Sequence, residues 1–171
     1  MMNSVLLDTT YLISLVDDTR ANHQQAKDFF KYFVENKYAM ILSSIATCEF
    51  CARQPLTDLP LSNFKLLPFN ISDSHHLRTL FVEYVTHRIT GENRVSVKDD
   101  FKLISQASYN QIDYLITEDF NFFNRMLDLN SKTVLRTKPL FCPNGVHKEF
   151  KIPMPALSLF GETLNKVDEQ H

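Results

Sequence analysis

Apolar residues in this chain fall into two alternating kinds of run. Val5-Leu6-Leu7, Tyr38 to Leu42 and Ile112 to Ile116 are short and almost wholly apolar, and each predicts a buried strand. Between them, apolar positions recur every three or four residues, the spacing of one helix face. Tyr11, Leu12, Leu15 and Val16 make one such stripe. Ala26, Phe29, Phe30 and Phe33 make another within residues 22–35. Ser43 or Ser44 can cap a third helix, which carries Ile45, Glu49 and Phe50. Residues 73–88 hold Leu77, Leu80, Phe81, Tyr84 and Val85 at helical spacing. A further helix is predicted from about Asp99 to Asn110, and one more after Thr117-Glu118-Asp119. Residues 52–63 and Thr90 to Ser96 read as loops. Phe64 to Phe69, broken by Pro68, is a weak strand, and Thr133 to Leu135 a last one.

Strands that alternate with helices imply βαβ units. The predicted fold is α/β, with helices on both faces of a mostly parallel sheet. The pattern changes after residue 138, where four of the seven prolines fall. Pro143-Asn144-Gly145 is a turn signal between Leu140-Phe141 and Val146 to Ile152, and predicts a small hairpin. Pro155 then opens a short amphipathic stretch with Leu157, Leu159, Phe160 and Leu164. The expected organisation is a domain over 1–138 and a C-terminal extension over 139–171. That extension, a hairpin and a short helix, would pack on the core or on a partner.

Composition narrows the chemistry. A length of 171 residues fits one domain, and 44% hydrophobic residues can fill its core. A net charge of -2 excludes a protein that coats nucleic acid by bulk charge, though not a local basic groove. Three scattered glycines exclude the Gly-rich phosphate loops of nucleotide-binding folds. Three cysteines and no secretory pattern fit a cytoplasmic protein, and no apolar run approaches a membrane span. Cys48-x-x-Cys51 has no second pair and lies in an apolar stretch, so both thiols are expected to be buried.

The acidic residues carry the strongest signal. Asp8 ends the first predicted strand and Asp119 lies just past a later one. Open parallel sheets bind ligands outside the carboxyl ends of their strands. Glu49 falls on the helix face that carries Ile45. Asp100 heads the stripe of Leu103, Ile104 and Ala107, so it faces inward, whereas Asp99 lies about 100° round the helix. Four carboxylates in one crevice repel one another unless a cation joins them. All-oxygen ligands favour Mg²⁺ or Mn²⁺ over Zn²⁺. Such ions suit phosphodiester hydrolysis.

Four segments together extend this. They are Val5-Leu6-Leu7-Asp8-Thr9-Thr10, Leu42-Ser43-Ser44-Ile45-Ala46-Thr47-Cys48-Glu49-Phe50, Asp100-Phe101-Lys102-Leu103-Ile104-Ser105-Gln106-Ala107 and Tyr114-Leu115-Ile116-Thr117-Glu118-Asp119-Phe120. In order and context, they resemble a PIN-domain nuclease over roughly residues 4–136, of the VapC-like toxin kind. The resemblance implies a three-layer α/β/α sandwich and a metal-dependent endoribonuclease. It makes Asp8, Glu49, Asp100 and Asp119 catalytic, with Asp8, Asp100 and Asp119 as metal ligands. Thr10 and Thr117 match its hydroxyl positions, and Asp99 stands as a neighbouring candidate for the third acid. It further implies an RNA substrate, an antitoxin partner and a homodimer. Arg125, Lys132 and Arg136, with Lys138, are candidates for a basic rim that grips RNA. Phe120, Phe122 and Phe123 can stack bases or pack the core.

Other functions remain open at this point. The same fold can bind RNA or protein without cutting. A receiver domain would need a lysine after a late strand, and neither Lys132 nor Lys138 is clearly so placed. An Asp-x-Asp phosphatase is excluded, because position 10 is threonine.

Overall fold

The computed structural model describes residues 3–86, 94–132 and 135–152. Among these residues five strands form one sheet: β1 (Ser4–Leu7), β2 (Ala39–Ser43), β3 (Phe64–Leu67), β4 (Tyr114–Thr117) and β5 (Lys138–Phe141). Their order is β3-β2-β1-β4-β5, and every neighbouring pair is parallel. Among the described residues seven α-helices connect or follow them: α1 (Thr9–Val16), α2 (His23–Glu35), α3 (Ser44–Cys51), α4 (Ile71–Thr86), α5 (Arg94–Tyr109), α6 (Phe120–Lys132) and α7 (Gly145–Glu149). The α/β class and the parallel sheet are as the periodicity predicts.

The central strand explains the apolar runs. β1 is flanked on both sides, and Val5, Leu6 and Leu7 have no exposed surface. A strand covered on both faces shows no alternation, which is why the run is continuous. Leu115 and Ile116 of β4 are equally buried beside it. The α2 stripe of Ala26, Phe29 and Phe33 is fully buried against this sheet's core. Ser43 caps α3 by accepting the Ile45 N–H. Before α4, Asn70 accepts the Ser72 and Asp73 N–H groups and Asp73 accepts the Asn70 N–H, a reciprocal cap.

Three expectations need correcting. The loop expected over Thr90 to Ser96 is already helical from Arg94, since α5 extends to place Val97 one turn before Phe101 in the core. Of the strand expected at Thr133 to Leu135, the first two positions lie outside the described residues and Leu135 is not in a strand. The last strand among the described residues is Lys138–Phe141 instead. Lys138 N–H donates to the Asp113 carbonyl, so the alternate position, Pro139, faces away from β4, where no donor is needed. The hairpin is absent: Leu140 and Phe141 join the sheet, and residues 142–149 form a 3₁₀ turn and α7. Gly145 starts α7 at φ +75°, which a side chain disfavours. A strand of the main sheet therefore crosses the boundary expected at 138. Phe150 then stacks on Tyr32 of α2 at 4.6 Å between ring centroids. The helix expected after Pro155 lies outside the described residues. No helix among the described residues is long and apolar enough to cross a membrane.

The cysteines also differ from expectation. Cys48 and Cys51 are free and exposed, while Cys142 is buried. In α3 the inward positions are Ala46 and Phe50, and the thiols point elsewhere. Burial, with the charges of Glu118 and Asp28, pushes the Cys142 thiol well above its ordinary range. A thiol-specific disulfide reagent should therefore label two cysteines rapidly in the folded protein. The third should react only on unfolding, as absorbance titration would show. Three fast thiols would contradict the burial of Cys142.

Candidate active site

β1 sits between β2 and β4, so the strand order reverses beside it. Chain leaving neighbouring strands at such a point diverges and opens a crevice at their carboxyl ends. Asp8 follows β1 directly and Asp119 lies two residues past β4. Glu49 comes from α3 and Asp100 from α5. All four line one cleft of about 570 Å³, with Thr9, Thr10 and Asp99. The structure thus brings the four predicted acids to one place.

Asp8 occupies the N-cap position of α1, yet its side chain makes no capping bond. Its Oδ2 instead accepts the hydroxyls of Thr10 and, at 2.7 Å, Thr117. Each hydroxyl accepts in turn from the loop beyond β4: Thr10 from the Glu118 N–H and Thr117 from the Asp119 N–H, both at 3.0 Å. The two threonines therefore tie the end of β1 to the end of β4 and fix the Asp8 carboxylate between them. Burial nevertheless raises the Asp8 pKa above its ordinary value, and the Glu49 charge adds to this. Glu49 accepts the hydroxyl of Thr9. Asp119 uses Oδ1 to cap α6, accepting the Asn121 and Phe122 N–H groups.

The neighbouring pair Asp99 and Asp100 separates as the helix angle requires. Asp99 pairs with Lys102 one turn on, at 2.7 Å, and its side chain is 37% exposed. Asp100 is 15% exposed and pairs with Arg125 of α6. Burial lifts the Asp100 pKa to about 7 despite that guanidinium, and the charges of Asp8 and Asp119 add to the rise. Asp100 is thus the member of the pair that shares the field of the other acids.

The expected basic rim is placed differently. Arg125 is buried, in ion pair with Asp100. Lys132 pairs with Asp128 at the far end of α6, and neither it nor Arg136 lines the cleft. The cations that do line it are Arg20 and Arg53. Sequence reasoning missed both, and Thr9 with them. Arg53 follows Glu49 by four residues, the spacing of one helix face, and that was the available signal. Arg20 lies in a loop and had none. Of the three phenylalanines, Phe122 is buried and lines the cleft, whereas Phe120 is 61% exposed and rests on Phe141.

The donor set suits a hard divalent cation: every candidate ligand is an oxygen, and burial raises the pKa of both Asp8 and Asp100, so added positive charge would favour their ionised forms. Among the described residues, however, no three acidic, histidine or cysteine side chains already stand close enough to hold a metal. Arg125 occupies one of the Asp100 oxygens.

Comparison with known proteins shows the same architecture. A chain in VapBC2 from Rickettsia felis, bound to a DNA fragment from its promoter, superposes with a TM-score of 0.57 at 14% identity, covering 80% of this chain and 98% of its own. FitAcB from Neisseria gonorrhoeae gives 0.58 at 14% identity, covering 81% and 97%. VapBC-1 from nontypeable Haemophilus influenzae gives 0.54 at 16%, covering 82% and 98%. No family model and no curated protein matches the chain. At these identities the likeness is one of fold, and the fold is that of the VapC-like PIN domain.

Proposed function

We propose that this protein is a divalent-metal-dependent endoribonuclease, the toxin of a toxin–antitoxin pair. The observation that carries the reading is the cleft: four carboxylates, two just past β1 and β4 and two on α3 and α5, line it at the switch point of a VapC-like PIN fold. Asp8, Asp100 and Asp119 would hold Mg²⁺ or Mn²⁺, which supplies Lewis-acid charge neutralisation at a phosphodiester. Thr10 and Thr117 fix the Asp8 carboxylate with their hydroxyl protons. The cap to α6 keeps Asp119 Oδ1 occupied, and Asp119 lines the cleft. Glu49, which accepts the Thr9 hydroxyl, would either add a ligand or orient the attacking water. RNA is the substrate this reading assigns. The chains of the same fold in the VapBC structures support an antitoxin partner, and a homodimer is part of the same proposal.

One observation favours a second reading, a PIN-fold module that binds RNA or protein without cutting. The Asp100–Arg125 pair places a guanidinium on a carboxylate the nuclease needs for metal. Cleavage separates the two. Purified protein with mixed RNA substrates should cut in Mn²⁺ or Mg²⁺ and stop in EDTA, and Asp119→Asn should not cut. A broad RNA panel left intact in both metals, with copurified antitoxin excluded, would favour the binding module.

A further inference from the structure

The cleft contains an electrostatic conflict. Asp8, Glu49, Asp99, Asp100 and Asp119 line it against two guanidinium groups, Arg20 and Arg53. A polyanionic strand has little reason to approach five carboxylates. Cation binding to the acids relieves the centre of the cleft, but not its approaches. Two arginines among the lining residues can supply that relief.

Arg20 is held from behind. Its Nε donates to the Ser14 hydroxyl and its Nη2 to the Glu118 carboxylate, each at 3.2 Å. Ser14 has no exposed surface, and the Glu118 side chain is 6% exposed. The Arg20 side chain itself is 38% exposed and lines the cleft. A guanidinium carries five N–H donors, so the remainder of the fork is free to meet an anion without further ordering. Glu118 lies just past β4, at one flank of β1. Arg53 follows α3, which leaves β2 at the other flank. It is exposed, and among the described residues no side-chain hydrogen bond or ion pair holds it. The two cations therefore reach the cleft by way of the strand ends on either side of β1.

We propose that Arg20 and Arg53 form a phosphate clamp on either side of the carboxylate cleft, and that its ligand is the backbone of a single polynucleotide strand. The inference rests on the nuclease reading for the identity of the strand, and it names how that strand is held. Phosphates flanking the reacting one meet the two forks, where paired N–H donors match paired phosphate oxygens. A cleft of about 570 Å³ has the size of a small-ligand pocket and takes one strand, not a duplex.

The test is fluorescence anisotropy of the full chain with a labelled single-stranded RNA 12-mer. Ca²⁺ replaces Mg²⁺, so that the strand stays intact. Arg20→Ala and Arg53→Ala should each weaken binding about tenfold. Each should also lower the slope of log affinity against log salt by about 0.7, the share of one single-strand phosphate. Arg53→Glu should weaken binding further, and Arg20→Lys should recover only part of the loss. An RNA duplex of equal length should compete poorly. Arg20 also ties Ser14 to Glu118, so its loss can disturb folding. Arg53 has no such role, and its variants decide the matter. Arg53→Ala and Arg53→Glu that bind as wild type, with an unchanged salt slope, would overturn the clamp. Strand binding that needs both arginines, with no cutting in Mg²⁺ or Mn²⁺, keeps the clamp and removes the nuclease. Cutting at unchanged KM in both variants keeps the nuclease and removes the clamp.

Discussion

Asp8→Asn is expected to lower metal-dependent RNA cleavage by more than a factor of about 100, roughly 2.7 kcal/mol of barrier. The same change should leave the metal-free protein at least as stable as wild type. These two outcomes rest on different properties of one side chain. Asp8 is 5% exposed, and burial disfavours its charge. Asparagine keeps an oxygen that can accept the Thr10 and Thr117 hydroxyls, so the tie between β1 and β4 survives. What it removes is the negative charge, which a cation requires and the empty fold does not. Cleavage assays in Mn²⁺ against EDTA, with calorimetry in EDTA, read both quantities. A variant that cuts at the wild-type rate would take Asp8 out of the chemistry. One that is inactive because it unfolds would make Asp8 a structural residue.

Much of this site was legible because strand ends are legible. An apolar run that stops at Asp8-Thr9-Thr10, and another that stops at Thr117-Glu118-Asp119, place two carboxylates at sheet termini without any tertiary information. Helix periodicity likewise separated Asp100 from Asp99. The same periodicity, applied to α6, places Arg125 with Phe122, Met126 and Leu129, all buried. By that spacing Arg125 belongs to the inward stripe and not to a solvated basic rim. The partner it finds, Asp100, heads the inward stripe of α5. The fifth strand was missed for a local reason. Lys138-Pro139-Leu140-Phe141 has a proline and a charged start, which suit an edge strand and obscure it in sequence. The exposed thiols show the limit of composition: α3 is apolar on more than one face, so its cysteines give no direction. Arg20 reaches the cleft through a loop and two side-chain contacts, and loops carry no period to read.

The Asp100 carboxyl leads to the second large effect, one of pH. Its folded pKa lies near 7, above the ordinary value of 3.8, because burial outweighs the attraction of Arg125. Between those two values the folded chain keeps a proton that the unfolded chain has lost. Stability from this group is therefore full below about pH 4, falls as pH rises toward 7, and stays low above it. Each tenfold difference in proton affinity between the folded and unfolded chain is worth about 1.4 kcal/mol, so the loss is on the order of 4 kcal/mol. Asp100→Asn mimics the protonated form at every pH. Denaturant unfolding in EDTA should place wild type and variant on a similar footing at pH 4, with the variant gaining as pH rises to about 7 and keeping that gain at pH 8. Comparing the two within one pH series cancels the titration of the other acids, and the Arg125 contact is already contained in the folded pKa. Mg²⁺ binds the ionised carboxylates, so its stabilisation of wild type should be larger at pH 8 than at pH 5 and should shrink in the variant. A stability difference between the two proteins that does not change with pH would mean that Asp100 is ionised throughout. Arg125 would then hold it as an ordinary ion pair, and the cleft would lack the uncompensated charge that draws a cation in.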